Sequence, residues 1–212
     1  CFGFQKDGGL VLGTGEGFAL WNPSELEPAF IWNPLPTREG VRLNDGKVDP
    51  AGRFWAGSMD IKEREGKLYR LDPDGSRHTI LHQIGISNGL GWSPDRGTMY
   101  TTDSIQSTIF AYDYALGTGQ ISNGRPFVQL PKDRREIVPD GLCVDQEGCV
   151  WIAIWNGWEV VRCDPNGKPL MTIEVPAQRV TSCCFGGEDL DMLFITTARE
   201  GSVSYTHLTL PT

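Results

Sequence analysis

Gly52-Arg53-Phe54-Trp55-Ala56-Gly57 opens on a turn residue, runs through large apolar side chains and closes on small ones. The design recurs at Gly9-Leu10-Val11-Leu12-Gly13-Thr14, Gly97-Thr98-Met99-Tyr100-Thr101-Thr102 and Gly148-Cys149-Val150-Trp151-Ile152-Ala153, and again at Asp191-Met192-Leu193-Phe194-Ile195-Thr196. The first residues of these runs lie 43, 45, 51 and 43 positions apart. A short apolar run between turn signals reads as a buried strand, and 3.6-residue periodicity is almost absent from the chain. Each run is preceded by a strand ending in an acidic or polar turn, as in Lys47-Val48-Asp49-Pro50 and Leu142-Cys143-Val144-Asp145. The first four are followed by another strand, within 17–21, 67–71, 108–112 and 159–163. Two of those close on Asp72-Pro73-Asp74-Gly75 and Asp164-Pro165-Asn166-Gly167, which are turn sequences. Strand triplets or quartets at this period predict an all-β protein built from β-propeller blades, better than a two-sheet sandwich does. Four to five blades fit into the chain.

Composition agrees. The 212 residues carry 26 Gly and 14 Pro, enough to interrupt helices every few residues. The formal net charge of −8 argues against nucleic acid and anionic membrane surfaces as partners. No run approaches the 18 apolar residues of a membrane span. The six cysteines form no CxxC and no zinc spacing, so they read as reduced, buried thiols of a cytoplasmic protein. No obligate protein partner is evident.

Counting eight or nine residues back from the repeated strands reaches Asn44, Asn88, Asp140 and Ser182. Three of these precede a glycine directly or after one residue, and any one alone reads as a turn former. Together they put amide, carboxylate and hydroxyl oxygens at equivalent blade positions, where strands lining a propeller axis would bring them together. Such oxygens suit Ca²⁺, Mg²⁺ or Mn²⁺. One carboxylate and two amides make a weak site, and a further carboxylate is expected.

Four segments carry a family resemblance: 42–59 (RLNDGKVDPAGRFWAGSM), 86–93 (ISNGLGWS), 138–145 (VPDGLCVD) and 181–187 (TSCCFGG). In sequence and order they resemble the gluconolactonase family that includes regucalcin, over roughly residues 1–201. The resemblance implies a six-bladed propeller that hydrolyses sugar lactones such as gluconolactone with one divalent metal ion (Ca²⁺, Zn²⁺, Mn²⁺ or Mg²⁺). It implies Asn88 and Asp140 as metal ligands, Asp140 also as the catalytic base, and Arg42 and Asn44 as substrate-binding residues. The family's remaining ligand is a Glu in an E-x-P-x-W motif absent here, and Glu16 does not replace it. A further acidic contact would align near Lys62, beside Glu63. The chain reads as lacking about one blade at each end, and alone it is expected to be nearly inactive. The alternative is a non-catalytic calcium-binding propeller.

Residues 202–212 are set apart. Their run Val203-Ser204-Tyr205-Thr206-His207-Leu208-Thr209-Leu210-Pro211-Thr212 resembles a translated sequencing adapter, so His207 takes no part in the functional reading. His78 and His82 are four apart but lie in a strand-like context without a Glu. The charged stretch 132–136 reads as a solvated loop, and Trp155-Asn156-Gly157-Trp158 as a turn with packing aromatics. No Ser-His-Asp triad or GxSxG motif is visible.

Overall fold

The computed structural model describes residues 1–131 and 136–199, and the backbone of 208–211. The charged stretch 132–135 and His207 lie outside the described residues, as does most of the tail.

Every described element is a strand, and the strands form antiparallel sheets in sequence order. The first sheet is β1 (Phe2–Phe4), β2 (Leu10–Thr14), β3 (Gly17–Trp21) and β4 (Ala29–Trp32). The second is β5 (Arg42–Val48), β6 (Phe54–Met59), β7 (Gly66–Leu71) and β8 (Arg77–Ile84). The third is β9 (Ser87–Trp92), β10 (Thr98–Asp103), β11 (Thr108–Ala115) and β12 (Gln120–Gln129). The fourth is β13 (Val138–Val144), β14 (Val150–Trp155), β15 (Glu159–Cys163) and β16 (Pro169–Glu174). The fifth has three strands, β17 (Arg179–Gly186), β18 (Met192–Ala198) and β19 (Leu208–Pro211). A four-stranded meander is the blade unit of a propeller. The repeated runs are the second strands β2, β6, β10, β14 and β18, and the strands expected after the first four are β3, β7, β11 and β15.

The chain forms two compact units, one of Cys1–Asn88 with Ala115–Ile121, the other of Gly89–Tyr114 with Ser122–Thr212. In the first unit, Phe18 of β3 is fully buried, stacked on Trp32 at 4.8 Å and edge-on to Phe54 and Tyr69 of the second sheet. Burying one such side chain contributes roughly 1.5–3 kcal/mol. In the second unit, Tyr100, Ile109, Leu142, Val150 and Ile152 join the third sheet to the fourth. Trp151, Val160, Val180, Leu193 and Ile195 join the fourth to the fifth.

Four Asp-x-x-Gly turns separate strands at Asp49–Gly52, Asp72–Gly75, Asp145–Gly148 and Asp164–Gly167. In each the glycine N–H donates to the aspartate carbonyl at 2.9–3.0 Å, and the glycine has positive φ. Two of these carboxylates do more than close a turn. Asp49 accepts the N–H groups of Ala51 and Arg53, the indole N–H of Trp55 and the Arg53 guanidinium, all at 2.9–3.0 Å. Asp145 accepts the N–H groups of Glu147 and Cys149, the indole N–H of Trp151 and the Arg162 guanidinium. Burial works against a charge on Asp145, but the indole, the guanidinium and the Cys149 N–H hold its carboxyl below the ordinary carboxylate range.

The cysteines are free, as expected, and Cys143, Cys149, Cys163 and Cys183 are buried. Cys184 departs from that expectation and is exposed, because the alternation of β17 that turns Cys183 into the core turns its neighbour out.

Asp49→Ala removes the partner of a buried arginine and should cost about 3–5 kcal/mol in urea denaturation. Asp145 is ionised at lower pH in the folded protein than in the unfolded chain. Its stabilisation is therefore complete above about pH 4 and is lost as pH falls through the lowered pKa. Asp145→Asn should remove that part of the acid dependence, read from urea midpoints between neutral pH and pH 3.

Candidate functional site

Three of the four first strands that carry candidate residues break register beside them. The ladder slips between Leu43 and Gly46 in β5, between Pro139 and Leu142 in β13, and between Val180 and Ser182 in β17. A bulge gives a strand one residue that its partner does not match and re-aims the side chains there. Asn44, Asp140 and Ser182 lie within or at the end of these slips.

In the first unit, Asn44 meets Asn88. The Asn44 Nδ2 group donates to Asn88 Oδ1 at 2.9 Å and to the Ser87 carbonyl at 3.0 Å. Both amide hydrogens are used, which fixes the way the Asn44 amide faces. Arg42, exposed on the same strand, donates from Nη1 to the Leu43 carbonyl at 3.0 Å. Gly57 of β6 backs this pair. A Cβ there would fall inside the Ser87 side chain, so only glycine lets β9 begin so close to β6.

In the second unit, Asp140 and Ser182 are neighbours through Gly141, whose missing Cβ leaves the space that Ser182 occupies. Gly89 likewise stands against the Asp140 carbonyl and the Thr102 hydroxyl. Ser104 Oγ donates to the Pro139 carbonyl at 2.7 Å and anchors the strand just before Asp140. The buried Thr102 hydroxyl has no hydrogen-bond partner among the described residues.

Asp45 was not singled out by the sequence reading, although it lies in the quoted Asn44-Asp45-Gly46 run. It is the next residue along β5, and burial raises its pKa against the opposing pull of Lys47 and the Gly46 N–H. The spacing rule picked Asn44, and nothing in the string marked its neighbour as withdrawn from water.

The remaining candidates fall elsewhere. Glu16 is exposed in the tight turn between β2 and β3, its N–H bound by Thr14 Oγ1. Lys62 and Glu63 are exposed in the turn after β6, which the buried Asp60 caps by accepting the Glu63 and Glu65 N–H groups. His78 and His82 lie on β8, with His78 Nε2 3.3 Å from Asp72. Trp155 packs against the Arg179 guanidinium at 5.4 Å, and Asn156 and Trp158 take positive φ in the turn after β14.

Asp145, Glu147 and Cys149 bring one oxygen, another oxygen and a sulfur within 4.8 Å of one another. Arg162 already faces both carboxylates, at 2.7 and 2.5 Å. Burial and the nearby Asp145 charge push the Cys149 thiol up, toward its protonated form. The single guanidinium thus offsets one of the two carboxylate charges, and the thiol adds none.

The SMP-30/Gluconolactonase/LRE-like region model matches residues 1–199. Regucalcin of Oryctolagus cuniculus is 42% identical over an alignment of 205 positions that covers 93% of this chain and 68% of that protein. The chain belongs to the SMP-30/gluconolactonase/LRE-like family. A calcium-binding protein of Agrobacterium tumefaciens, also called regucalcin, superposes with a TM-score of 0.85 at 26% identity, over 94% of this chain and 68% of that one. The Dos1 propeller superposes with a TM-score of 0.61 at 12% identity, over 98% of this chain and 60% of that one, and shows the fold alone. The fold class is all-β, of the β-propeller type. Among the described residues no helix is long and apolar enough to cross a membrane.

Gly57→Ala should cost about 1–3 kcal/mol through overpacking against Ser87. Ser87→Gly removes the colliding atoms, so the double variant should recover most of that loss in a double-mutant cycle of urea midpoints.

Proposed function

We propose that the full-length gene product is a divalent-metal-dependent hydrolase of sugar lactones such as gluconolactone. The observation that carries the reading is the Asn44–Asn88 hydrogen bond beside a strand bulge, within a chain whose family is named for gluconolactonase. Asn88 and Asp140 are the residues proposed to hold the metal. Amide and carboxylate oxygens form a hard donor set, which fits Ca²⁺, Mg²⁺ or Mn²⁺ and also accommodates Zn²⁺. The ordering of the Asn44 amide supports the fit, because its hydrogen occupies one lone pair of Asn88 Oδ1 and fixes the direction of the other.

When bound, the metal supplies Lewis acidity toward the lactone carbonyl and the charge that develops on it. Asp140 accepts a proton from the attacking water, and a nearby cation favours its ionised form. Arg42 offers planar donors to sugar hydroxyls or the ring oxygen, and Asn44 orients the substrate beside them. No covalent acyl-enzyme is invoked. The ring opens when the tetrahedral intermediate collapses, and the alkoxide leaving group takes up a proton.

A second reading, cation binding without turnover, is favoured by the Agrobacterium tumefaciens relative, which is described as a calcium-binding protein. The two separate on turnover. A lactonase hydrolyses D-glucono-δ-lactone with more than one added divalent ion, whereas a calcium protein binds Ca²⁺ and leaves the lactone intact. On the lactonase reading the substrate is a small molecule, and a cytoplasmic location is part of the proposal.

Asp140→Asn should lower kcat/KM by about 10²- to 10⁴-fold from loss of the base alone, with weakened metal binding adding to that. Asn44→Ala should raise KM more than it lowers kcat. Steady-state hydrolysis of D-glucono-δ-lactone with added Mn²⁺, Ca²⁺ or Zn²⁺ is the measurement. An Asp140→Asn enzyme that keeps more than about a tenth of wild-type kcat/KM removes Asp140 from the mechanism.

A further inference from the structure

Four of the six cysteines are buried, and two of these touch. Cys143 of β13 and Cys183 of β17 bring their Sγ atoms to 3.7 Å where the fourth sheet packs on the fifth. Strand alternation puts them there. Leu142 faces the core shared with the third sheet, so Cys143 faces the core shared with the fifth. On β17, Cys183 points inward and Cys184 outward. Trp151, Val180, Leu193 and Ile195 belong to the same cluster. The two strands are those that carry Asp140 and Ser182.

The polar contacts give the two sulfurs different roles. The Cys183 S–H donates to the Trp151 carbonyl, with Sγ 3.5 Å from the oxygen. The Cys143 S–H then donates to Cys183 Sγ, so a lone pair of Cys183 is aimed at its partner. Cys143 is the more open of the two, 6% exposed against 3%. A disulfide holds its sulfurs about 2.05 Å apart, so each sulfur has less than about 1 Å to move. Rotation about the side-chain bonds covers that distance.

We propose that Cys143 and Cys183 are a modification site, an oxidisable pair that a hydroperoxide converts into a buried disulfide joining the fourth sheet to the fifth. The Cys143 thiolate attacks hydrogen peroxide: an S–O bond forms, the O–O bond breaks, and the departing hydroxide takes up a proton to give water. Cys183 Sγ then attacks Cys143 Sγ. The S–S bond forms, the S–O bond breaks, and hydroxide leaves as water with the Cys183 proton. Two thiols and one peroxide give one disulfide and two waters. Burial slows the first step, whereas the second joins atoms already in contact. Cys149 and Cys163 are poorer entry points. Burial and the Asp145 charge push the Cys149 thiol up, and burial pushes that of Cys163 up to about 11.

The test treats the purified chain with hydrogen peroxide for hours, alkylates the remaining thiols and digests with trypsin in the absence of reductant. Fragment 136–162 contains Cys143 and Cys149, and fragment 180–199 contains Cys183 and Cys184. The two should appear joined, lighter by two hydrogens than their sum. The double variant Cys149→Ser/Cys184→Ser leaves only the proposed pair in these fragments and should keep the link, while Cys143→Ala should lose it. Closing the loop between residues 143 and 183 restricts the unfolded chain, so oxidation should raise Tm by about 5 °C or more, and dithiothreitol should reverse the rise. If Cys143→Ala does not fold, the double variant decides. Alkylated Cys143 throughout, a link that persists in folded Cys143→Ala, a link absent from the folded double variant, or a Tm that does not rise overturns the proposal.

Discussion

A carboxylate withdrawn from water at the corner of a blade must find enough donors to offset that loss, and the buried Asp49 and the partly buried Asp145 each find at least four. Satisfying it joins the turn that starts the second strand to the indole on that strand and to a guanidinium, Arg53 just before that strand in one case and Arg162 on the next strand in the other. Register between the strands follows, because a one-residue slip would carry the indole away from the carboxylate. With register fixed, the first strand is free to bulge at its other end without unravelling the sheet. The candidate residues use that freedom.

The second strands were legible because their pattern needs no partner to be recognised: a turn residue, large apolar groups, then small ones. Their regular spacing carried the propeller class. The bulges were not legible, since a bulge exists only relative to an opposing strand, and nothing in Asn44-Asp45-Gly46 states which residue of β6 it faces. Asp45 escaped notice for the same reason. Its burial is a property of the surroundings, while the spacing rule addressed only Asn44. The carbonyl oxygens that accept from Arg53 and Arg70 were also invisible, because they lie 48–64 residues further along the chain and belong to backbone that any sequence would carry.

Of the candidate site, the residue types and their equivalence between blades came from spacing, and their roles from family resemblance. The structure adds a mutual amide contact between Asn44 and Asn88, and a Gly141–Ser182 junction beside Asp140. Glycine in Asn88-Gly89 and Asp140-Gly141 first read as a turn signal. It proves to be a spacing device: the strands continue through it, and neighbouring atoms occupy the volume that a side chain would need.

That spacing device bears on how the protein responds to compression. Where Gly57 meets Ser87 and Gly141 meets Ser182, neighbouring strands already touch at atomic contact, so little volume remains to be squeezed out. Hydrostatic pressure acts on proteins through internal voids, since unfolding eliminates them and shrinks the system. The glycine junctions therefore sit at the stiff end of the volumetric response, and high pressure should leave the Gly57–Ser87 and Gly141–Ser182 contacts in place.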